Sequence, residues 1–336
     1  LDAIEIDMLY ELETRWSEIQ KYISDFLVSQ GLDGITSKEM SVIPGMELMS
    51  ALFYLDDFHK KGTYDVIVMD TAPTGETIKL LSFPESSEWY SDKLYRIIHN
   101  LIKVARMTIG KVMSTPLPSE ELLKDLEMLI GRMKNVQKIL EDPEITSIRL
   151  VVNPEKMVIN ETKRAYTYLC LYGLTVECLV INRLLPDGND DYFAQKRIEQ
   201  EKYMKIIQES FDPLKMLKAQ QLPVELVGMK SLEYLGDMLF QDEDPTSRFT
   251  TERPIEIYSE NGKDIIALRL PFMPKEKVQL YKSSDSLVVE AGQYRRSMSL
   301  PFTFIQKEPE KAEFTDGMLR IMFPGDDVSG ERKPAE

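Results

Sequence analysis

The sequence predicts an α/β fold with a doubly wound, mostly parallel sheet, a helical insertion and a C-terminal antiparallel β-sandwich. Short apolar runs typical of buried parallel strands alternate with amphipathic helical patterns in the first two thirds of the chain. A long, purely helical stretch separates the first two of these runs. Close-spaced short strands with turn signals follow a polar linker and indicate a sandwich.

Composition excludes several classes of protein. The chain has 336 residues, 41 Lys and Arg against 56 Asp and Glu, and a net charge of −15, so we expect no nucleic-acid partner. Two cysteines cannot form a disulfide framework and favour a reducing, cytoplasmic location. The sequence has neither a signal-peptide pattern nor an uninterrupted membrane-spanning apolar run. It begins at Leu1 within a patterned segment, and we expect residues upstream of it to be missing.

The first part of the chain carries the alternating elements. Helical spacing covers residues 9–27, and a Pro44-Gly45 break precedes another helical pattern at 45–61. The predicted strands are residues 64–70, 148–152 and 176–181. The later predicted helices are residues 160–172 and 192–211. This order predicts a parallel sheet that is covered on both faces.

Residues 85–142 form the predicted helical insertion, with helices near 94–112 and 119–140. Ser119 is the expected N-cap of the second helix. Residues 93–113 contain five basic and no acidic side chains, and the insertion is rich in methionine, which suits a surface that fits many apolar partners. Three interpretations stay open: a groove for an apolar helix, amphipathic core helices with a solvated basic face, and contact with anionic lipid.

A polar stretch at residues 242–254 predicts a linker. Residues 255–325 then predict the sandwich, and residues 326–336 a frayed tail. The predicted strands are residues 265–270, 278–282, 287–290, 297–300 and 319–323. Asp316-Gly317 is the expected hairpin turn before the last strand.

Asp70 follows the predicted strand 64–70 and starts the segment DTAPTG. Ligands of open parallel sheets lie beyond the carboxyl ends of the strands, where a carboxylate can hold Mg²⁺ directly or through water. Thr71 adds a hydroxyl, and Gly75 allows close approach of the backbone to an anion. An equal alternative is that Asp70 caps the turn that follows it.

Residues 64–81 (YDVIVMDTAPTGETIKLL) resemble the second switch segment of the arsenite-pump and tail-anchored-protein-targeting ATPases, which are deviant Walker-A P-loop ATPases. Other stretches similar in order and spacing are residues 1–7 (LDAIEID), 151–164 (VVNPEKMVINETKR), 179–186 (LVINRLLP), 195–211 and 223–239. The resemblance covers roughly residues 1–240 and implies a P-loop NTPase-like fold, with ATP and Mg²⁺ as cofactors.

The resemblance implies roles residue by residue. Asp70 would help to position Mg²⁺, which it would contact through a water molecule. It would also help to position the attacking water. Thr71 and Gly75 would lie in the segment that senses the γ-phosphate, and Glu155 and Asn182 would contact the nucleotide, Asn182 through its amide. The loop expected to close over the base contains Gln220, Gln221, Leu222, Pro223 and Glu225. The family usually has a proline near the position of Gln220 and often a histidine at that of Glu76, and this chain departs at both.

No G-x-x-x-x-G-K-[ST] loop occurs in the sequence, so the phosphate cradle and its lysine are absent. We therefore expect the intact parent protein to hydrolyse ATP and this chain alone to be inactive.

Cys170 and Cys178 lie in a helix pattern and a strand pattern, and we expect both to be buried apolar residues. The targeting branch often shares a zinc through a Cys-x-x-Cys pair, which this chain lacks, so we expect no zinc site. The arsenite branch binds the metalloid through cysteines for which this chain shows no site. The cysteines thus favour the targeting branch.

Residues 265–324 resemble the α-crystallin domain of small heat-shock proteins, through ALRLPFMPKEKVQLYKSSDSLVVEAG, RRSMSLP and AEFTDGMLRIMFP. Such a domain would be either a stabilising appendage or an extra module that holds clients or arranges a dimer, and these interpretations carry equal weight.

The resemblance implies a homodimeric, ATP-dependent cytosolic chaperone or targeting factor for hydrophobic membrane-anchor helices, with transient contact to a membrane or receptor. The expected client-binding residues are Leu94, Ile98, Leu101, Ile102, Met107, Met113, Leu126, Leu129 and Met133. The alternatives are an arsenite-exporting ATPase subunit and a holdase without hydrolysis.

Overall fold

The computed structural model describes residues 1–7, 10–11, 14, 16–29, 31–34, 36, 46–71, 119–188, 191–283 and 285–325. The chain forms two compact units, Leu1–Ile139 and Leu140–Glu336. Among the described helices, none combines the length and the apolar character needed to span a bilayer.

Helices dominate the described part of the first unit. They are α1 (Ser17–Ser29), α2 (Met46–Lys61) and α3 (Glu120–Glu141), whose last two residues belong to the second unit. The core includes Trp16, which stacks on Phe53 with the ring centroids 6.0 Å apart, and Leu52, which is fully buried. The predicted cap of α3 is confirmed, because the Leu122 N–H donates to the Ser119 hydroxyl at 3.0 Å.

A buried ion network joins α2 to α3. The Asp56 carboxylate, with a solvent exposure of 0%, accepts hydrogen bonds from Lys60 at 2.7 Å, from Arg132 at 3.2 Å and from Asn135. Arg132 also donates to Asp57 at 2.7 Å. Burial raises the pKa of Asp56, but the hydrogen bonds from Lys60 and Asn135 and the charges of Lys60 and Arg132 outweigh it and hold the pKa below its ordinary value.

One strand prediction is wrong: residues 64–70 form no strand in this structure. Val66 is 53% and Val68 is 88% exposed, and no ladder pairing involves this run in the described part of the chain. An apolar run becomes a buried strand only where neighbouring strands satisfy its backbone groups. The aromatic ring of Tyr64 instead makes an edge contact with Phe58 of α2, with the centroids 5.2 Å apart.

The second unit opens with a three-stranded parallel sheet in the order β1-β2-β3. The elements are β1 (Ile148–Val152), α4 (Lys156–Leu171), β2 (Val176–Leu184), α5 (Asp191–Phe211), β3 (Lys215–Gln220) and α6 (Met229–Phe240). The central strand β2 is almost wholly buried. The predictions of β1, β2, α4 and α5 are confirmed, whereas β3 was not predicted.

An antiparallel sandwich follows the irregular residues 241–254, as predicted. Its sheets have the orders β4-β5-β10-β9 and β6-β7-β8. The strands are β4 (Ile255–Glu260), β5 (Lys263–Arg269), β6 (Val278–Ser283), β7 (Ser286–Ala291), β8 (Tyr294–Ser299), β9 (Lys311–Thr315) and β10 (Met318–Pro324). Asp316 and Gly317 both have positive φ, as a tight hairpin turn requires, and the turn prediction is confirmed.

Helix α4 packs between the parallel sheet and the sandwich, which explains why its last turns are buried all round. From the sandwich, the buried Arg296 donates through Nη1 to the Leu171 carbonyl at 2.7 Å and pairs with Glu141 at 3.1 Å. The Thr167 hydroxyl donates to the Pro271 carbonyl. The cation therefore lies at the negative end of the α4 dipole and attaches the sandwich to the helix.

Phe272 gives a second attachment point. Its ring lies 5.4 Å from the Phe211 ring and 6.2 Å from the Tyr166 ring, both in the helical layer of the sheet. Its φ of 62° is unfavourable for a phenylalanine, so these contacts hold a backbone conformation that costs about 1–2 kcal/mol.

Candidate functional site

The carboxyl ends of β1, β2 and β3 meet at one edge of the sheet because the three strands are parallel. This edge brings together three of the predicted groups of nucleotide-binding residues. Glu155 follows β1, Asn182 lies near the end of β2, and the loop begins at Gln220, the last residue of β3.

Glu155 is the N-cap residue of α4, with an extended backbone and no side-chain hydrogen bond to the helix. Its side chain is exposed. The first backbone N–H groups of α4 therefore face this edge without a side-chain cap, which is the arrangement that suits an anionic or polar ligand.

Asn182 lies at an irregular point of β2, since the pairing of β2 with β3 shifts register between Ile181 and Leu184. Its amide oxygen accepts the backbone N–H of Arg183 at 2.8 Å. The oxygen keeps a second lone pair and the NH₂ group two donors, so the side chain can still offer a donor and an acceptor to the edge of a base.

The loop after β3 is exposed over most of its length. Gln220, Gln221, Pro223 and Glu225 are exposed and Leu222 is half-buried. The Gln221 N–H donates to the Leu184 carbonyl at 2.7 Å, and this hydrogen bond fixes the start of the loop beside the end of β2. The loop and Asn182 thus lie at one edge of the sheet.

The sequence analysis missed Arg183, which is exposed at the same edge. Its φ of 56° is a left-handed conformation that is uncommon for arginine. Such a conformation at a strand end is typical of functional sites, but no sequence pattern marks it.

The other predicted site residues lie in the first unit or outside the described residues. Asp70 and Thr71 are exposed and follow the run that forms no strand, so the expected geometry of a carboxylate at a strand end is not formed. Gly75 lies outside the described residues, as do the client candidates Leu94, Ile98, Leu101, Ile102, Met107 and Met113.

Helix α3 carries the remaining client candidates. Met133 is only 2% exposed and belongs to the core of the first unit, so in this structure its side chain does not line an open groove. Leu129 is half-buried, and Leu126 lies in the helix. For Met133 the core-helix interpretation fits better, because the buried face of α3 also carries Leu122 and Val136.

Cys170 and Cys178 are both buried, as predicted. Burial raises the pKa of Cys170 to about 12 and that of Cys178 to about 11, which keeps both thiols protonated at neutral pH. Across the described ranges, no three His, Cys, Asp or Glu side chains are close enough together to hold a metal ion.

Comparison with known proteins decides the family. The family model for the anion-transporting ATPase matches residues 1–241. The chain belongs to this ATPase family. A second model, the HSP20-like domain found in the same ATPases, matches residues 261–323, so the resemblance drawn from both parts of the sequence is confirmed.

Relatives of this chain include proteins named for arsenical pump-driving ATPases and for GET3-type ATPases. A protein of Aquifex aeolicus named for an arsenical pump-driving ATPase is 36% identical, over 93% of this chain and 80% of its own length. A protein of Chlorobaculum tepidum with the same kind of name is 32% identical, over 96% of this chain and 81% of its own length. The ATPase GET3C of Arabidopsis thaliana is 28% identical, over 59% of this chain and 52% of its own length.

Proposed function

We propose that this chain is part of an ATP-dependent, homodimeric cytosolic chaperone that binds hydrophobic helices, such as membrane anchors. The observation that carries the choice is the state of the thiols. Cys170 and Cys178 are the two cysteines of the whole sequence, and they are 2% and 0% exposed. A metalloid carrier needs accessible thiolates, and this chain offers none in this structure.

The base of ATP would be held at the sheet edge by Asn182 and the loop 220–225, next to Glu155 and the N-terminus of α4. The fit rests on the free donor and acceptor of the Asn182 amide and on the exposure of the loop. Asp70, through water, and Thr71 are the proposed contacts to Mg²⁺ and the phosphates. Bound ATP supplies the free energy of its hydrolysis.

Hydrolysis needs a phosphate cradle and its lysine, and the 336-residue sequence does not contain that motif. We therefore expect no steady-state ATPase activity from the 336-residue chain. A phosphate-release assay checks this, and turnover that scales with enzyme concentration and requires Mg²⁺ would contradict it.

Client binding is tested with a photo-crosslinking apolar helix peptide added to the chain. We expect label mainly in residues 93–140, which include the basic and methionine-rich segments that the sequence predicts to be helical. Equal labelling of residues 255–325 would contradict the groove and favour the sandwich as the client-binding module. A charged peptide of equal length is the control, and it should leave both regions unlabelled.

A second candidate function is arsenite transport, which the names of the Aquifex and Chlorobaculum relatives favour. It requires arsenite to reach a thiol. Binding of arsenite to the native chain, measured by mass spectrometry and lost in Cys170→Ser or Cys178→Ser, would support it against the chaperone proposal. We expect no arsenite adduct on the native chain.

A further inference from the structure

A cavity of about 360 Å³ lies in the second unit, at the end of the parallel sheet opposite to the candidate nucleotide edge. Val176 and Lys215, the first residues of β2 and β3, form part of its wall. The other walls come from α4, the linker 242–254 and β5 of the sandwich. The side chains that matter for its chemistry are Tyr166, Cys170, Leu174, Phe249, Glu252 and Arg269.

Tyr166 shows that the cavity is more than a packing gap. The residue is only 5% exposed, and its hydroxyl has no hydrogen-bond partner among the described residues. The groups that act electrostatically on this hydroxyl are Cys170, Arg269 and Glu252, all of which line the cavity, so the hydroxyl lies at the cavity wall. Because this hydroxyl lies at the cavity wall and donates to no described residue, it is available to donate a hydrogen bond to an acceptor on a ligand.

Tyr166 and Cys170 bring donors to the wall. Burial raises the pKa of Tyr166 to about 12 and that of Cys170 to about 12, so both keep their protons at neutral pH. Arg269 adds a cation that is held only loosely, because its Nη1 lies 3.6 Å from a Glu252 carboxylate that is 76% exposed.

The other charges at the cavity are already engaged. Lys215 pairs with Glu243 at 2.5 Å. Both oxygens of Glu177 are occupied: Arg149 donates to one at 2.5 Å and the Phe249 N–H to the other at 3.0 Å. The groups left for a ligand therefore include the Arg269 cation and the hydroxyl donors of Tyr166 and Thr250, beside apolar walls formed by Leu174 and Phe249.

We propose that this cavity binds a small molecule with a carboxylate head and an apolar tail. The carboxylate accepts hydrogen bonds from the Arg269 guanidinium and the Tyr166 hydroxyl, and the tail packs on Leu174, Cys170 and Phe249. The volume lies near the lower end of the range for ligand pockets, about 300–1,000 Å³, which favours a ligand smaller than a nucleotide. The site is independent of the proposed ATPase function, since it uses the opposite end of the sheet.

The probe for this proposal is octanoate, with 1-octanol as the uncharged control, and the measurement is isothermal titration calorimetry on the full chain. We expect octanoate to bind at one site per chain and octanol to bind at least about tenfold more weakly, because it lacks the charge that Arg269 recognises. Equal binding of the two probes, or no binding of octanoate at millimolar concentration, would overturn the proposal.

Two substitutions locate the site. Arg269→Gln should weaken octanoate binding about tenfold and Tyr166→Phe severalfold. The matched controls are Arg295→Gln, whose side chain is 66% exposed, and Tyr168→Phe, whose ring contacts Tyr294 and does not line the cavity. An effect of the controls equal to that of the site variants would contradict the assigned contacts.

A protection experiment on the unmodified chain avoids any dependence on variant folding. Iodoacetamide labelling, followed by peptide mass spectrometry over long incubation, reports each cysteine separately. We expect octanoate to slow labelling of Cys170, which lines the cavity, and to leave that of Cys178, which does not, unchanged. Equal slowing at both cysteines would indicate general stabilisation and would overturn the assignment of the cavity.

Discussion

Arg296→Met tests whether the sandwich is attached to α4 by a buried cation. The substitution keeps much of the apolar stem and removes the guanidinium. Arg296 is 6% exposed, and its Nη1 donates to the Leu171 carbonyl at the end of α4. The loss leaves that carbonyl without a donor in a buried place, and it removes the pair with Glu141.

The magnitude follows from the two contacts. A charged donor on a buried carbonyl contributes about 1.5–3 kcal/mol. The Glu141 side chain is 33% exposed, so that ion pair adds at most about 1 kcal/mol. We expect a loss of about 3 kcal/mol in the free energy of unfolding, or a fall in Tm of about 6–12 °C for a unit of this size.

The assay is urea unfolding of the full chain followed by circular dichroism, together with limited proteolysis. Arg295→Met is the matched control, because Arg295 is 66% exposed and reaches only Glu290 at 3.9 Å. We expect the control to change stability by less than about 0.5 kcal/mol. Faster cleavage of the linker 242–254 in Arg296→Met alone would show that the sandwich has come away from α4.

Equal unfolding midpoints for Arg296→Met and Arg295→Met would refute this account of the attachment. A lowered midpoint with unchanged cleavage of the linker would also count against it, because the loss would then lie inside the sandwich.

Three further predictions concern stability and reactivity. Asp56→Asn should lower the free energy of unfolding by about 2–4 kcal/mol at neutral pH, as measured by urea unfolding. Because the pKa of Asp56 is lowered in the folded state, the stabilisation by this carboxylate should be complete above about pH 4 and should disappear as the pH falls further. The stability of the variant should therefore fall less steeply with acidification than that of the parent chain. Phe272→Ala should cost about 1–2 kcal/mol by loss of its aromatic contacts, whereas Phe302→Ala, at a position that is 84% exposed, should cost almost nothing in the same assay. Cys170 and Cys178 should react with a thiol reagent far more slowly in the native chain than after denaturation, and rapid labelling of either in the native chain would contradict their burial and raised pKa values.

The sequence predicted every central strand of the three sheets, whereas the strands that it missed lie at sheet edges, as the predicted strands β1, β6 and β8 also do. The central strand β2 carries an apolar run at residues 178–181, which is the signal that burial on both faces produces. The missed strands β3, β4 and β9 are all edge strands. In β3 the exposed Lys215, Lys218 and Gln220 interrupt the apolar pattern, as is common at edges that must avoid pairing with other chains.

Residues 64–70 show the opposite error, in which the sequence pattern predicts a strand that the structure does not form. Its apolar run resembles a central strand, but a pattern in one segment does not show whether other strands lie beside it. The same limit applies to the attachment of the sandwich. Arg295 and Arg296 are neighbours in β8, and only the register of the strand determines that the second one is buried.

The candidate site was more accessible to prediction, because Glu155 and Asn182 follow or end strands with a strong apolar signal. Parallel strands place these ends at one edge, and the family resemblance supplied their expected roles. The left-handed conformation of Arg183 and the unpaired hydroxyl of Tyr166 depend on three-dimensional packing and had no counterpart in the sequence pattern.

The nucleotide edge is tested most directly by saturation-transfer NMR of ATP with the full chain, which detects weak binding at the protons of the base. We expect transfer to the adenine protons that falls strongly in Asn182→Ala and stays unchanged in Asn160→Ala, whose side chain is exposed on α4. Transfer that is absent, or that survives Asn182→Ala undiminished, would contradict the placement of the base at this edge of the sheet.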